Sequence, residues 1–420
     1  MDFTFVHAAD LHLDTPFQGM ARLSPEVAEV LREASLEAFD DLVRLAIRVD
    51  AAFLLLAGDI YDGEERGIRA QLRFLHGLRR LSRRGIRVFV VHGNHDPVGG
   101  WSAVREWPEG VTVFPPGEVQ RIPVERDGQR LALVHGISYG RRHETENLAL
   151  RFRRDPGPGL QVGLLHCHLG SDPAHAPYSP CRQEDLLESG LDYWALGHLH
   201  RRHLPAEGGP WIAYPGNLQG RSLTPTESGA KGALVVDASE HGVRSTRFEP
   251  LDRVRFVDDN VPIEGIEDLA GLADTLAGRG DDLRRQHLGR HLVLRITLTG
   301  RGPLHTLLQR REVIDGLLDD LRRDERPRTP LLWWEGLRDR TRSRRDLEHL
   351  EQRDDFIAAL ARLGRRLGGD ADALRSFFET HAAAPAHGLD RLVTPPGDRE
   401  LADLLDRALD RALDRLEEER

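Results

Sequence analysis

Five short apolar runs in the chain each end in residues whose side chains carry a carboxylate, an amide or an imidazole. With the residues that follow them, the runs are FTFVHAADLHLD, AAFLLLAGDIYDG, IRVFVVHGNHDPV, QVGLLHCHLG and DYWALGHLH. One such end could be an ordinary turn, because Gly-Asp and Gly-Asn are common loop residues. Five in succession are hard to explain as turns, and in layered α/β folds the carboxyl ends of strands are where sites assemble. We therefore expect an α/β fold with a functional site at its strand ends.

The remaining segments predict three regions. Helical patterns such as SPEVAEVLREASLEAFDDLVRLAIRV separate the first three apolar runs, whereas later runs follow one another more closely, which predicts a mixed sheet. The pattern changes near Leu251, where helix, strand and helix patterns follow one another. We expect a catalytic domain over residues 1–250, a small α+β capping domain over residues 251–340 and a helical region over residues 341–420.

The last predicted helix, LADLLDRALDRALDRLEEE, is amphipathic. Its apolar positions, at the spacing of one helix face, are Leu401, Leu405, Ala408, Ala412 and Leu416. Alternating Asp and Arg residues flank this stripe, and such charges can set the register of a bound partner. We expect the stripe to bind a partner, and packing on the same chain is the alternative.

The charge composition excludes a protein that is basic over its whole surface. The formal net charge is −10, from 58 Lys and Arg residues against 68 Asp and Glu residues. Lys231 is the single lysine, so nearly all of the positive charge is arginine, which binds phosphates through a bidentate fork. A local basic groove remains compatible with this total.

Cysteine content and the first residues indicate the compartment. Two cysteines, Cys167 and Cys181, are too few for a disulfide scaffold, and a reducing cytoplasm is the simplest setting. The segment MDFTFVHAAD lacks the basic and the long apolar parts of a signal peptide. Apolar runs in the chain fall short of a membrane span. We therefore expect a cytoplasmic protein with no membrane partner.

The polar residues at the five strand ends form a set that suits metal ions. They are Asp10, His12, Asp59, Asp62, Asn94, His95, Asp96, His166, His168, His198 and His200. Residues i and i+2 of an extended segment face the same side, so His198 and His200 should converge on one point, as should Asp10 and His12. Carboxylate, imidazole and amide ligands without thiolates suit Mn, Fe or Zn. The set is too large for one ion, and two ions about 3.5–4 Å apart are the arrangement used for in-line displacement at phosphorus.

In order along the chain, the motifs Asp-x-His, Gly-Asp-x-x-Asp, Gly-Asn-His-Asp, His and Gly-His-x-His resemble the signature of the calcineurin-like metallophosphoesterases. Within that superfamily the chain is most similar to the DNA repair exonuclease group, the SbcD and YhaO type. Further matches to this group are HAADLHLDTPF, HGISY and YPGNLQGRSLTPTESGAKGALVVD. The resemblance covers residues 1–250 well and residues 251–340 loosely. It implies the metallophosphoesterase fold, a two-layered β sandwich flanked by helices, with a small α+β cap and a helical tail.

The resemblance also implies how the ligands are divided between two metal ions. The ligands implied for one ion are Asp10, His12 and His200, those for the other are Asn94, His166 and His198, and Asp59 bridges the two. The family aligns its ligand with His166, which leaves His168 as a contact to the ligands or to the substrate, or as a simply exposed residue.

Further residues near the ligands receive roles in the same way. His95 would protonate the leaving oxygen or stabilise charge, and Asp96 would orient its ring. Asp62 stands where some relatives carry histidine, so the contribution of that histidine to transition-state charge is absent or altered here. From sequence position alone, Arg201 or Arg202, which directly follow the ligands, would touch a substrate phosphate. His92, which ends a strand, is expected to be packed or to contact a ligand rather than to bind metal.

By this resemblance the chain is expected to be a two-metal phosphodiesterase that hydrolyses DNA through a metal-bridging hydroxide. The expected activity is that of a 3′–5′ exonuclease, with single-strand endonuclease activity in addition. The expected cofactors are two divalent metal ions, manganese in the first place, with iron, zinc and magnesium as alternatives. The partners that the resemblance allows are DNA, an SMC-like ATPase of the SbcC type and, in a homodimer, a second copy of the chain.

Two other functions stay open on the sequence. A phosphodiesterase or phosphatase for small nucleotides would share the same metal site. A non-catalytic subunit that organises an SMC-like ATPase would be expected to have lost ligands, and none of the seven is missing. The capping domain and the YPGNLQGRS segment favour nucleic acid over small nucleotides.

Overall fold

The chain forms two compact units in a computed structural model that describes residues 1–15, 25–63, 67–98, 104–170, 178–204, 210–325, 329–343, 350–381 and 396–418. The first unit comprises Met1–Asp258, Asp282–Arg295 and Glu325–Glu335. The second unit comprises Asp259–Asp281, Ile296–Asp324 and Gly336–Arg420.

Strands alternate with helices early in the chain and follow one another closely later, as the sequence pattern predicts. In chain order the strands are β1 (Asp2–Ala8), β2 (Phe53–Ala57), β3 (Arg87–Val91), β4 (Val111–Val113), β5 (Gln120–Arg126), β6 (Gln129–Gly136), β7 (Leu160–His166), β8 (His168–Leu169), β9 (Pro180–Cys181), β10 (Tyr193–Gly197), β11 (Trp211–Ala213), β12 (Gly232–Ser239), β13 (Gly242–Pro250), β14 (Val254–Pro262), β15 (His291–Thr299), β16 (Arg301–Gly302), β17 (Leu332–Asp339) and β18 (Arg342–Ser343). The helices are α1 (Pro25–Arg48), α2 (Ile68–Ser82), α3 (Gln183–Glu188), α4 (Leu269–Gln286), α5 (His305–Leu308), α6 (Arg311–Glu325), α7 (Phe356–Gly368), α8 (Ala371–His381) and α9 (Asp398–Glu418), with a 3-10 turn at Leu148–Arg151. Within the described residues, no helix is long and apolar enough to cross a membrane.

Two mixed sheets build the first unit. The six-stranded sheet has the order β13-β12-β1-β2-β3-β4, in which β1 to β4 are parallel and β12 is antiparallel to β1 and to β13. The five-stranded sheet has the order β11-β10-β7-β6-β5, in which only β5 is antiparallel to its neighbour. Because five strands that precede predicted site residues are parallel to neighbours in these sheets, their carboxyl ends can lie at a common edge.

An apolar core fills the space between the two sheets. In β2, Phe53, Leu55 and Ala57 face this core, whereas Leu54 and Leu56 belong to the cluster on the other side of the sheet. All five side chains are fully buried. Successive strand residues point to opposite faces, so a run without polar residues indicates a strand that is covered on both sides.

Other segments cover the outer faces of both sheets. Phe39 of α1 and Phe74 of α2 pack together on the six-stranded sheet, with ring centroids 5.3 Å apart. On the five-stranded sheet, Phe152 and Leu186 pack with Trp194 of β10. The prediction of a two-layered β sandwich flanked by helices is therefore confirmed.

The residues predicted as one capping domain, 251–340, are divided between the two units. The first parts of β14, β15 and β17 belong to the first unit, where Val254, Val293 and Trp333 pack with Leu31 of α1. Apolar contacts with α1 explain this division, which a change in sequence pattern at Leu251 could not reveal.

The stripe on the last helix is covered by helices of its own unit. Two clusters hold it: Leu401 and Leu405 pack with Leu367 and Leu374, and Leu409, Leu413 and Leu416 pack with Ile357 and Ala361. Ala408, predicted to lie in the stripe, is exposed, because the buried seam follows Leu409 and Leu413 instead. Of the two alternatives, packing on the same chain is the one that the structure shows, so a partner would have to contact another surface.

Candidate metal centre

The carboxyl ends of β1, β2, β3, β7 and β10 meet at one edge of the sandwich. The amide of Asp10 donates to the carbonyl of Gly58 at 3.1 Å, and that of Cys167 donates to the carbonyl of Gly197 at 3.2 Å. Between the two sheets, the amide of His198 donates to both carboxylate oxygens of Asp10, each at 3.1 Å. These hydrogen bonds tie the loops of both sheets together and bring the predicted ligands to the same place.

Several of these loop residues have a left-handed backbone. The φ angle is 50° at Asp10, 44° at His12, 50° at Asp59 and 106° at His198. This conformation is strained for residues other than glycine, and such strain concentrates at functional sites. The expectation that ligands two residues apart converge through an extended backbone is therefore wrong, because sharp turns after the strands aim these side chains.

Glycine precedes the ligands because the two sheets approach closely there. A Cβ atom on Gly197 would lie 1.8 Å from the carbonyl oxygen of Ala57. A Cβ atom on Gly58, whose φ is 88°, would lie 2.3 Å from Nδ1 of His166. Only glycine leaves room for the backbone and the imidazole at these two points.

Asp10, His12 and His200 form one group, in which one ligand atom from each lies within 4.8 Å of the others. Nε2 of His12 and Nε2 of His200 are 3.2 Å apart. Nδ1 of His200 lies 2.5 Å from Oε1 of the buried Glu227. A carboxylate can only accept a hydrogen bond, so His200 carries a proton on Nδ1 and directs its Nε2 toward His12.

Asp59 and His166 belong to a second group, which also contains Asp10, and Asn94 lies beside it. Nε2 of His166 lies 3.0 Å from Oδ1 of Asn94 and 3.4 Å from Oδ2 of Asp59. Nδ1 of His166 lies 2.9 Å from the carbonyl oxygen of Ala57, which fixes the protonation of that nitrogen. The ring of His198 is beside this group, with its centroid 5.2 Å from that of His166.

The donor set fits two divalent cations. The Nε2 lone pair of His166 faces a carboxylate oxygen of Asp59. Two buried acceptors that face each other are unfavourable by themselves, and a cation between them makes the arrangement favourable. Asp59 also lies 3.9 Å from Nε2 of His12, so it stands between the two groups. Burial raises the pKa of Asp59, although the charges of His166 and His95 oppose this. Burial lowers the pKa of His12 well below its ordinary value, which keeps the imidazole neutral, as a metal ligand must be.

His95 contacts Asp62, not Asp96. Nδ1 of His95 lies 2.6 Å from Oδ1 of Asp62. Asp96 is fully buried and lies 3.0 Å from Nδ1 of His92, and it accepts from the amide of Gly93 at 3.0 Å. The prediction that Asp96 orients His95 is therefore wrong, because this carboxylate is turned inward, where it holds its own loop together.

The surroundings of His95 favour its protonated form. Burial works to lower the pKa of His95, but the contact with Asp62 and the negative charge of Asp59 outweigh it and raise this pKa above its ordinary value. The amide of His95 also donates to Oδ1 of Asp59 at 3.0 Å. A protonated imidazole held beside the ligands can act as an acid or as a stabilising charge.

Comparison with known proteins identifies the family. The sequence profile described as calcineurin-like phosphoesterase matches residues 3–202, and the profile described as the middle domain of metallophosphoesterase YhaO matches residues 256–342. The uncharacterized metallophosphoesterase YhaO of Bacillus subtilis (strain 168) is 34% identical over 360 residues, which are 86% of this chain and 86% of that protein. The chain belongs to the YhaO-type calcineurin-like metallophosphoesterases.

Two relatives with lower identity match about half of this metallophosphoesterase. The DNA double-strand break repair protein Mre11 of Thermoplasma acidophilum is 26% identical over 253 residues, 56% of this chain and 66% of that protein. The SbcD component of the nuclease SbcCD of Bacillus subtilis (strain 168) is 27% identical over 271 residues, 56% of this chain and 66% of that protein. The metallophosphoesterase is thus related to the DNA double-strand break repair protein Mre11 and to the nuclease component SbcD, and its match spans just under two thirds of their length.

The segment YPGNLQGRSLTPTESGAKG contributes polar side chains to which the sequence pattern assigned no role. Oε2 of Glu227 accepts from Nδ2 of Asn217 at 2.7 Å and from the amide of Arg221 at 3.0 Å. Nζ of Lys231 donates to the carbonyl oxygen of His200 at 2.7 Å. Burial raises the pKa of Glu227, but the hydrogen bond and charge of His200, with the charges of Arg221 and Lys231, lower it to about 2. One sequence signal pointed here, since Lys231 is the only lysine in a chain that otherwise uses arginine.

His168 and Arg201 lie next to the ligands. His168 is 1% exposed, so the alternative that it is a simply exposed residue is wrong, and its ring centroid is 5.6 Å from that of His198. Arg201 is exposed and directly follows His200. Of the two histidines around β7 and β8, His166 is the one whose Nε2 faces Asp59. The predicted contacts of His168 and Arg201 to ligands or substrate stay predictions.

Proposed function

We propose that this metallophosphoesterase hydrolyses phosphodiester bonds of DNA, as a 3′–5′ exonuclease with single-strand endonuclease activity in addition. The observation that carries this proposal is that two ligand groups share Asp10, and that Oδ2 of Asp59 lies 3.4 Å from Nε2 of His166 in one group and 3.9 Å from Nε2 of His12 in the other, with the amide of His95 donating to Asp59. Similarity to a component of a nuclease and to a DNA double-strand break repair protein supports DNA as the substrate.

In this proposal the ligands are divided as the resemblance implies. One ion would be held by Asp10, His12 and His200 and the other by Asn94, His166 and His198, and Asp59 would be a ligand of both. When bound, the two ions would supply Lewis acidity to the phosphoryl group and would acidify a water nucleophile. Manganese is proposed first for this carboxylate, imidazole and amide set, with iron, zinc and magnesium as alternatives.

The task proposed for His95 is to donate a proton to the leaving oxygen. Asp62 holds Nδ1 of this ring, which leaves Nε2 for the substrate. Because its pKa is raised, the ring is protonated over a wider pH range and can give a proton to the departing alkoxide. Asp62 then stabilises the ring in the orientation from which it acts.

Exposed arginines on two loops near the strand ends support a nucleic-acid substrate. Arg141 and Arg142 follow β6, and Arg201 and Arg202 follow β10. All four are exposed. Arginines so placed would contact backbone phosphates, which position a DNA strand without reading its sequence.

The proposed setting is the cytoplasm, where the protein would work with an SMC-like ATPase of the SbcC type and form a homodimer. Both cysteines, Cys167 and Cys181, are free and buried, which suits a reducing compartment. The relative SbcD is, as its name states, one component of the nuclease SbcCD. Because the stripe of α9 is covered, an ATPase would bind elsewhere on the protein.

The decisive experiment offers the purified, manganese-loaded protein three kinds of substrate. These are end-labelled single- and double-stranded DNA, dinucleotides and nucleoside monophosphates, and bis(p-nitrophenyl) phosphate. Exonuclease action predicts mononucleotides released from the 3′ end of DNA, and loss of this release in Asp59→Asn excludes a contaminating nuclease. Cleavage of dinucleotides or monophosphates without cleavage of DNA would favour the small-nucleotide function instead. No hydrolysis of any substrate by metal-loaded protein would favour the non-catalytic function.

A further inference from the structure

We propose that Arg221 is a catalytic residue of this site, whose guanidinium binds the phosphoryl oxygens of the substrate and stabilises their charge in the transition state. This inference rests on the proposed phosphodiesterase function. It starts from the ion pair that Arg221 forms with Asp62, and from the position of that pair between two parts of the site.

Asp62 creates an electrostatic problem that Arg221 solves. Its carboxylate is 25% exposed and contacts the ring of His95, so it lies where an anionic phosphodiester must approach. An unpaired carboxylate there would repel the substrate. Nη1 of Arg221 donates to Oδ2 of Asp62 at 3.3 Å and neutralises it. This chain has Asp62 at the position where some relatives carry histidine, so the positive charge of that histidine is absent or altered here. The fold brings a guanidinium to the same place from another segment of the chain.

A second carboxylate holds the guanidinium from the other side. Nη2 of Arg221 donates to Oε1 of Glu227 at 3.5 Å, and the same oxygen lies 2.5 Å from Nδ1 of His200. Arg221 therefore spans the gap between the partner of His95 and the partner of a metal ligand. A phosphoryl group that is held by the metals, with its leaving oxygen at His95, would lie along this span.

The guanidinium keeps donors for a ligand. Of its five N–H groups, the described part of the chain accepts hydrogen bonds from two, through Asp62 and Glu227. The side chain is 22% exposed, so part of it is open to solvent. A guanidinium matches two phosphate oxygens as a planar fork, and two carboxylates fix its position before the substrate arrives. Donors that are fixed in advance where charge develops lower the barrier most effectively.

A purely structural function makes different predictions. If Arg221 only pins Asp62 and Glu227, its loss should disturb His200 and reduce the number of bound metals. If Arg221 binds the phosphoryl group, its loss should leave the metals in place and weaken the binding of phosphate. The metal content and the phosphate affinity therefore separate the two functions.

The experiment compares full-length wild type with Arg221→Gln, Arg221→Lys and Arg244→Gln, all loaded with manganese. Arg244 is an exposed arginine that pairs with Asp2 at the protein surface, so its replacement is a matched loss of one charge and one ion pair. Three quantities are measured: manganese per chain, the dissociation constant of inorganic phosphate by titration calorimetry, and kcat and KM on bis(p-nitrophenyl) phosphate.

We expect Arg221→Gln to retain the metals, to bind phosphate at least tenfold more weakly and to lose a factor of about 10² to 10³ in kcat, the usual effect of removing one transition-state donor. Arg221→Lys keeps a charge but loses the fork, and should fall between Gln and wild type. Arg244→Gln should behave as wild type. Unchanged phosphate affinity in Arg221→Gln, or loss of metal from it, would overturn the proposal. Should Arg221→Gln not fold, wild-type phosphate affinity and kcat in Arg221→Lys would overturn it equally.

Failure of this inference can be told apart from failure of the proposed function. Phosphate titration needs no turnover, so it tests Arg221 even in a protein that cleaves nothing. If the wild type cleaves the nitrophenyl diester but not DNA, DNA is the wrong substrate, and the measured constants on the diester still decide the role of Arg221.

Discussion

The strand-end loops of the first unit and helices α7–α9 of the second unit follow opposite rules. In the helices, leucines recur at helix spacing and are covered by apolar neighbours, as at Leu413, which is fully buried. At the strand ends, many of the buried side chains are ionisable, and Asp10 and Asp59 have left-handed backbones. Sequence patterns agree with local structure where a segment contributes only to the stability of the fold. They depart from it where the segment forms a functional site. Changes in the loops should therefore reduce activity, and changes in the helices should reduce stability.

The largest effect is expected where both ligand groups meet. Asp59→Asn should abolish hydrolysis and lower the metal content, because this carboxylate lies between His166 and His12. Metal per chain and hydrolysis of bis(p-nitrophenyl) phosphate would be measured together. Asp2→Asn removes an exposed carboxylate in the same unit and should change neither. Two tightly bound metals in Asp59→Asn would rule out the bridging assignment.

His95 should separate chemistry from metal binding. His95→Asn should keep both metals and lower kcat on DNA by about two to four orders of magnitude, which is the range for a general acid. A nitrophenolate leaves without much need of a proton, so the nitrophenyl diester should lose less activity than DNA. Equal losses on both substrates would indicate charge stabilisation in place of proton donation, and loss of metal would make His95 a ligand.

Leu413 tests the helical side of the comparison. Leu413→Ala removes a fully buried side chain from α9 and should lower the free energy of unfolding by about 2–5 kcal/mol. Leu404→Ala is the matched control on the same helix, because Leu404 is 40% exposed and should change stability by less than about 0.5 kcal/mol. Denaturant unfolding gives both values. Both variants should retain kcat on the nitrophenyl diester, and a tenfold loss in either would break the separation between the two regions.

The sandwich, and the place where the predicted ligands lie together, could be predicted from the sequence for one physical reason. A strand covered on both faces is a continuous apolar run, so the polar residue that ends it is conspicuous, as at Asp59 after Ala57. Parallel strands then bring such ends together, which the order of the motifs already implied. The prediction was wrong where the direction of a side chain depends on the local backbone conformation. Asp96 is the example, because its carboxylate faces inward toward His92.

Residues that reach the site from outside the strand pattern could not be found in this way. Arg221 and Glu227 belong to a segment between β11 and β12 that has no strand or helix periodicity. Their positions depend on how this segment folds back to His200, through contacts such as that of Lys231 with its carbonyl oxygen. The apolar stripe of α9 is a different case. Its spacing predicted the helix but could not show which neighbouring residues cover Leu409.

The smallest predicted effect is a loss of folding stability at acidic pH, caused by a buried histidine of the first unit. His7 lies inside β1, fully buried beside the hydroxyl of Tyr193, and burial lowers its pKa from 6.5 to about 3. Between these values the unfolded chain binds a proton that the folded chain does not, so stability falls as the pH falls below 6.5. Between pH 7 and pH 5.5 the free energy of unfolding of the wild type should fall, and in His7→Gln this fall should be smaller by about 1 kcal/mol. Denaturant unfolding at both pH values measures it. His241→Gln, which removes a side chain that is 87% exposed, should leave the loss unchanged. If His7→Gln lost stability with falling pH as steeply as wild type, the acid sensitivity would have to come from other buried groups at the strand ends.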